Sequence, residues 1–155
     1  MGKVVLGIGN VLLSDEGIGC HVANALEEVA IPDVKVIDGG TCPDVVQLLE
    51  DADKLIVVDA AEGGGIPGQI YRFYLEDITL EQKPLLSLHD MGFVDNLRLM
   101  RLWRNKGETV IIGIEPKEIT WGLELSPELQ YKMPQIIDIV LSELNNTNPK
   151  GEVKC

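Results

Sequence analysis

Short runs of Val, Ile and Leu alternate along this chain with stretches of three- and four-residue apolar spacing. Lys3–Ile8 (KVVLGI) reads as a buried strand. Ser14 then reads as the N-cap of a helix whose apolar face is Ile18, Val22, Leu26 and Val29. Val34–Asp38 is a second strand, and Thr41 and Pro43 open a short helix carrying Val45, Val46, Leu48 and Leu49. Leu55–Val58 (LIVV) is a third strand, ending at Asp59. After a glycine-rich loop from Glu62 to Gly68, the alternation in Gln69–Leu75 (QIYRFYL) predicts an edge strand with one wetter face. His89 to Asn105 presents Phe93, Val94, Leu97, Met100 and Trp103 as a helix capped by Gly107. Thr109–Ile114 is another buried strand. Ser126-Pro127 opens the last helix, which Pro134 bends or restarts, with Ile136, Ile137, Val140, Leu141 and Leu144 facing inward.

Strands alternating with helices predict an α/β fold, a three-layer sandwich. Its sheet is five-stranded and mostly parallel, with one antiparallel edge strand and helices on both faces. There is no internal repeat and no dividing linker. Residues 1–145 are expected to form one domain and residues 146–155 a flexible tail.

In such sheets ligands bind beyond the carboxyl ends of the strands, so the residues that follow each strand are the candidates for chemistry. The first strand leads into Gly7-Ile8-Gly9-Asn10 and then Ser14-Asp15-Glu16-Gly17-Ile18-Gly19. GxGxxG fails because Leu12 holds the third glycine position, and GxxxxGK[ST] is absent. Asp15 and Glu16, taken alone, read as first-turn acids that complement a helix dipole. Asp59 leaves an apolar strand at the same sheet edge. His89 falls at a helix start, where the dipole keeps an imidazole neutral and able to bind metal. Glu16, Asp59 and His89 thus make a set of two carboxylates and one imidazole with coordination positions left open. That chemistry suits zinc, nickel, iron or manganese and does not choose among them. His21, by contrast, reads as structural, and Cys20 and Cys42 as small packed hydrophobes.

Composition narrows the partners. Thirteen basic residues against 25 acidic give a net charge of −12, which argues against nucleic acid and anionic membranes. Residues 1–80 hold fourteen of the acids and only four of the bases, so a cation site is expected in the first half. Three cysteines (Cys20, Cys42 and Cys155) without a CxxC pair suit free thiols in a reducing cytoplasm. No stretch reads as a signal peptide or a membrane helix.

Leu6–Gly19 (LGIGNVLLSDEGIG), Val36–Thr41 (VIDGGT), Ile56–Ala60 (IVVDA), Leu88–Gly92 (LHDMG) and Ile112–Pro116 (IGIEP) occur in an order and spacing that resembles the hydrogenase maturation endopeptidases. The match spans roughly residues 3–144. The resemblance implies a protease that removes a C-terminal extension from the [NiFe]-hydrogenase large-subunit precursor once nickel is in place. It implies metal contacts at Glu16, Asp59 and His89, with nickel carried by the substrate, although another divalent metal such as zinc would also fit. It further implies a role near the cleft for Asp38, which also reads as a turn residue before Gly39-Gly40. Gly9 and Asn10 match the turn beside the site. Either Glu16 or Asp59 would take a proton from the attacking water.

HExxH is absent, and Ser14 and Ser87 have no evident base. One competing expectation is a phospho-acceptor receiver domain using Asp15, Glu16, Asp59 and Lys117. Another is a nickel-binding chaperone without catalysis. The basic run Arg98, Arg101, Arg104 and Lys106 reads first as a solvated helix face, and second as a contact for an acidic part of the hydrogenase subunit.

Overall fold

The computed structural model describes residues 2–41, 49, 52–75, 87–88 and 107–146. Strand β1 (Lys3–Ile8) leads through a 3-10 turn at Ser14–Gly17 into helix α1 (Ile18–Val29). Then come β2 (Val34–Gly40), β3 (Lys54–Glu62), β4 (Ile70–Tyr74), the two-residue β5 (Ser87–Leu88), β6 (Glu108–Ile114) and α2 (Pro127–Asn145). The main sheet runs β2-β1-β3-β6-β4, and β5 pairs only with β3. Its pairs are parallel except β4 with β6, so the edge strand expected to be antiparallel is so.

The sheet is apolar on both faces, as its unbroken Val/Ile/Leu runs require. On one face Val5, Ile56, Val58, Val110 and Ile112 pack against Ile18, Val22 and Leu26 of α1 and Leu129, Ile136, Val140 and Leu144 of α2. Each large side chain sealed there contributes roughly 1.5–3 kcal/mol by leaving water. On the other face Val4, Leu6, Leu55, Val57 and Ile111 pack with Leu49, Ala52 and Leu75. The helices expected at Thr41–Leu49 and His89–Asn105 lie outside the described residues, apart from Thr41 and Leu49, and so do Cys42, Cys155 and the basic run. Among the described residues no helix is long and apolar enough to cross a membrane.

Several boundaries differ from expectation for identifiable reasons. Val29 is exposed as the last residue of α1, which ends where Ala30 takes the left-handed region (φ 57°). Helix α2 runs through Pro134 without restarting, and Ile137 and Leu141 are only half-buried on its flank. The start of the expected tail is tied down, since the Asn146 carbonyl accepts a hydrogen bond from Lys54 Nζ at 2.9 Å.

That lysine belongs to a buried clamp at the amino end of the sheet, far from the strand ends that matter for chemistry. Lys54 Nζ pairs with Glu143 Oε2 at 3.0 Å and Glu108 Oε1 at 3.4 Å, and donates to the Glu143 carbonyl at 2.6 Å. Arg72 grips the same Glu143 carboxylate with Nε at 2.7 Å and Nη2 at 3.0 Å. Burial alone would raise the Glu143 carboxyl, but the hydrogen bonds and charges of Arg72 and Lys54 outweigh it and the net direction is down. A carboxyl depressed in the folded state stabilises above its unfolded value, and that stability is lost as pH falls through the folded one. We therefore expect the calorimetric unfolding midpoint to drop as pH falls below the ordinary glutamate range. A Glu143→Gln variant should start lower at neutral pH and lose less on acidification. Parallel pH profiles for the two proteins would contradict this.

Candidate active site

The β1–β3 boundary is where the sheet changes direction. From β1 the chain crosses to β2 on one side, then returns past β1 to place β3 on the other. Such a reversal opens a crevice at the carboxyl ends of the two strands, which is where ligands of open α/β sheets lie.

Glycines bring the first candidate there. A Cβ on Gly7 would stand 2.0 Å from the Gly19 carbonyl oxygen, and one on Gly19 would stand 2.1 Å from that of Val58. Only two glycines let α1 rest directly on the backbone of β1 and β3. Gly9, at φ 137°, meets the Glu16 carbonyl in the same way. The long LGIGNVLLSDEGIG motif is thus a device for close approach, and it seats the turn carrying Glu16 on the mouth of β1. Asn10 shapes that turn, its Oδ1 accepting the Leu12 N–H at 2.9 Å.

Neither Ser14 nor Asp15 does what its sequence position suggests. Ser14 caps nothing. It sits in the left-handed region (φ 54°), its N–H donating to the Gly122 carbonyl and its hydroxyl to that of Glu124, each at 2.8 Å. Asp15 is fully buried rather than facing solvent at a helix end. Its Oδ2 accepts from the N–H groups of Lys117 and Glu118 at 2.9 Å and the Ser126 hydroxyl at 2.8 Å, while Oδ1 accepts from the Ser126 N–H at 2.7 Å. Asp15 is therefore a staple between the turn and the 117–126 segment. The adjacent Glu16 is left half-buried at the crevice.

Asp59 does not end its strand, because β3 continues to Glu62 under pairing from β6 and β5. Its level is nonetheless apt. The last β3 residue paired with β1 is Val58, so Asp59 is the first beyond the edge of β1. It is 1% exposed, and its Oδ1 accepts the Ala60 N–H at 2.7 Å. Asp38 lies across β1, paired with Gly7 while Gly7 pairs with Val58, which places it about 10 Å from β3 on the α1 side. It is exposed, within β2 rather than in a turn. His89 lies outside the described residues. The residue before it, Leu88, is paired with Ala61, two positions along β3 from Asp59. Among the described residues no three His, Cys, Asp or Glu side chains group to hold a metal ion.

Two residues were not read from sequence as part of the site region, although Cys20 was rightly read as packed. Cys20, one helical turn after Glu16, is buried, and its Sγ donates to the Gly9 carbonyl at 3.5 Å. Burial first, then a hydrogen bond to Asp38 and the charge of that carboxylate, push its thiol up to about 12. The thiol stays protonated near neutrality and is neither nucleophile nor ready thiolate ligand. The i, i+4 spacing from Glu16 was the available signal. Glu115 is the other: its Oε1 accepts from Gly63 N–H at 2.8 Å, Gly65 N–H at 3.2 Å and the Tyr71 hydroxyl at 2.5 Å. It thereby fixes the glycine loop that follows β3.

The fold and site define an α/β protein with carboxylates on the elements that flank a strand-order reversal. A family profile described as hydrogenase maturation protease matches residues 20–143. A putative hydrogenase maturation protease of Methanocaldococcus jannaschii is 33% identical over 149 residues, 91% of this chain and 95% of that protein. The hydrogenase 2 maturation protease of Escherichia coli is 30% identical, covering 93% and 91% of the two chains. The hydrogenase maturating endopeptidase HybD of E. coli superposes with a TM-score of 0.79 at 26% identity, over 94% of this chain and 93% of that one. The chain belongs to the hydrogenase maturation protease family, and it is a hydrolase that cleaves polypeptide. The receiver reading falls with this assignment. Its required lysine, Lys117, is paired with Glu128, and its acidic partner Asp15 is spent on backbone donors. The non-catalytic chaperone reading falls with it too.

Proposed function

We propose that this protease removes the C-terminal extension of a [NiFe]-hydrogenase large-subunit precursor in the cytoplasm after nickel insertion, recognising the nickel that the substrate carries. The observation that supports this most is that the turn carrying Glu16 packs on Gly9, just past β1, while Asp59 lies one residue past the last β1–β3 pair. His89, which follows Leu88 of the β3–β5 pair in the sequence, is taken as the third member of the set. Two carboxylates and an imidazole suit a borderline divalent cation such as nickel, and would also accept zinc. Nickel enters as part of the substrate, so the protein needs no resident metal.

A carboxylate that holds a cation is not at that moment a free base. One of Glu16 and Asp59 therefore contacts nickel while the other takes a proton from the water attacking the scissile carbonyl. Asp38, across β1 and bonded to the Cys20 thiol, borders the same crevice and orients the bound segment. The test is the mass of nickel-loaded precursor after incubation. The wild-type protein should remove the extension and a His89→Ala variant should not. Equal cleavage by both would overturn the role of the imidazole.

A further inference from the structure

Large apolar side chains stand in water beside the site. Trp121 is 81% exposed, Leu123 63%, Leu12 49%, Ile119 40% and Val11 37%. They sit on two segments that are fastened together. Leu13 bridges Gly122, the Ser14 N–H donates to the Gly122 carbonyl at 2.8 Å, and the Gly122 N–H returns a bond to the Leu12 carbonyl at 2.9 Å. The Asp15 staple locks the same pair from below. The surface is therefore preformed and would cost little ordering to use. An exposed apolar patch with a polar rim marks a site of association.

Position and charge say with what. Leu12 and Glu16 belong to one compact turn, the Glu16 N–H donating to the Leu13 carbonyl at 3.2 Å, so the patch is continuous with the crevice. Its rim carries Glu118 and Glu124, both exposed, while the charge of Lys117 is matched by Glu128. A second copy of this chain would bring another −12 against that rim and is disfavoured. Resting on the function proposed above, we infer that Val11, Leu12, Ile119, Trp121 and Leu123 seat the polypeptide of the large-subunit precursor, through an apolar stretch flanked by basic residues. An exposed Trp on a rigid support is the expected hot spot.

Binding and cleavage separate this inference from the function on which it rests. Affinity for nickel-loaded precursor would be titrated for an Asp59→Asn protein with and without Trp121→Ser and Leu123→Ser, the fold being checked by near-ultraviolet circular dichroism. The added pair should weaken binding about tenfold or more, and a Trp121→Ala change alone should give most of that loss. Higher salt should weaken binding further, as a basic partner on an acidic rim requires. Unchanged affinity on adding the pair, while the unsubstituted protein cleaves the precursor, would overturn the docking surface and leave the function standing. Loss of a protein dimer instead of precursor affinity would assign the patch to a second copy. A wild-type protein that neither binds nor cleaves the precursor would overturn both.

Discussion

An Asp59→Asn protein should keep its fold and lose cleavage by about a hundredfold or more. The amide is isosteric, and its oxygen can still accept the Ala60 N–H that Oδ1 accepts now at 2.7 Å. What it lacks is the negative charge, in a position 1% exposed, where charge is felt strongly because water does not screen it. An amide is a poor ligand for a divalent cation and no base. Whichever of the two roles Asp59 holds, the substitution removes it. The measurement is the rate of precursor cleavage, followed by mass, beside the unfolding midpoint of each protein. Equal rates at equal midpoints would take Asp59 out of the chemistry. A collapse of both together would make it structural.

The second large effect concerns the neighbour of Glu16. Asp15→Ala strips the partner from three backbone N–H groups and one hydroxyl, all facing a fully buried position. Unmet buried donors and a lost charge-assisted network should cost roughly 3–5 kcal/mol. For a domain of this size that lowers the unfolding midpoint by about 10–15 °C. Asp15→Asn, which keeps one acceptor oxygen, should lose about half as much. Calorimetry on the three proteins decides it. A midpoint for Asp15→Ala within about 2 °C of wild type would mean that the staple contributes little. Because the same bonds hold the turn carrying Glu16, the alanine protein should also cleave more slowly at temperatures where it remains folded.

These two aspartates illustrate how far the sequence could be read. The strand and helix spacings sufficed for the α/β class, the antiparallel edge strand and the helices α1 and α2, because those patterns report burial directly. The identity of the sheet neighbours was not in any local pattern. Only the strand order shows that the turn after β1 and Asp59 of β3 follow neighbouring strands. Asp15 and Glu16 are adjacent acids with the same local signal. One is fully buried against donors more than a hundred positions away, and the other is half-buried. No reading confined to residues 14–19 separates them. Ser14 was misread for a related reason: its cap-like position is overridden by bonds to Gly122 and Glu124 that hold it at positive φ. Cys20 looked like a small hydrophobe because burial was the only property its position implied. Its bond to the Gly9 carbonyl and its closeness to Asp38 depend on the glycine contacts that lower α1 onto the sheet.

Nickel recognition is the claim that distinguishes this site from an ordinary metalloprotease, and one comparison addresses it. Nickel-loaded and nickel-free precursor large subunit would be incubated with the protein in parallel, and the mass of each followed over time. The expected result is loss of the C-terminal extension from the nickel-loaded form alone. Equal cleavage of both forms, or cleavage of neither, would contradict it.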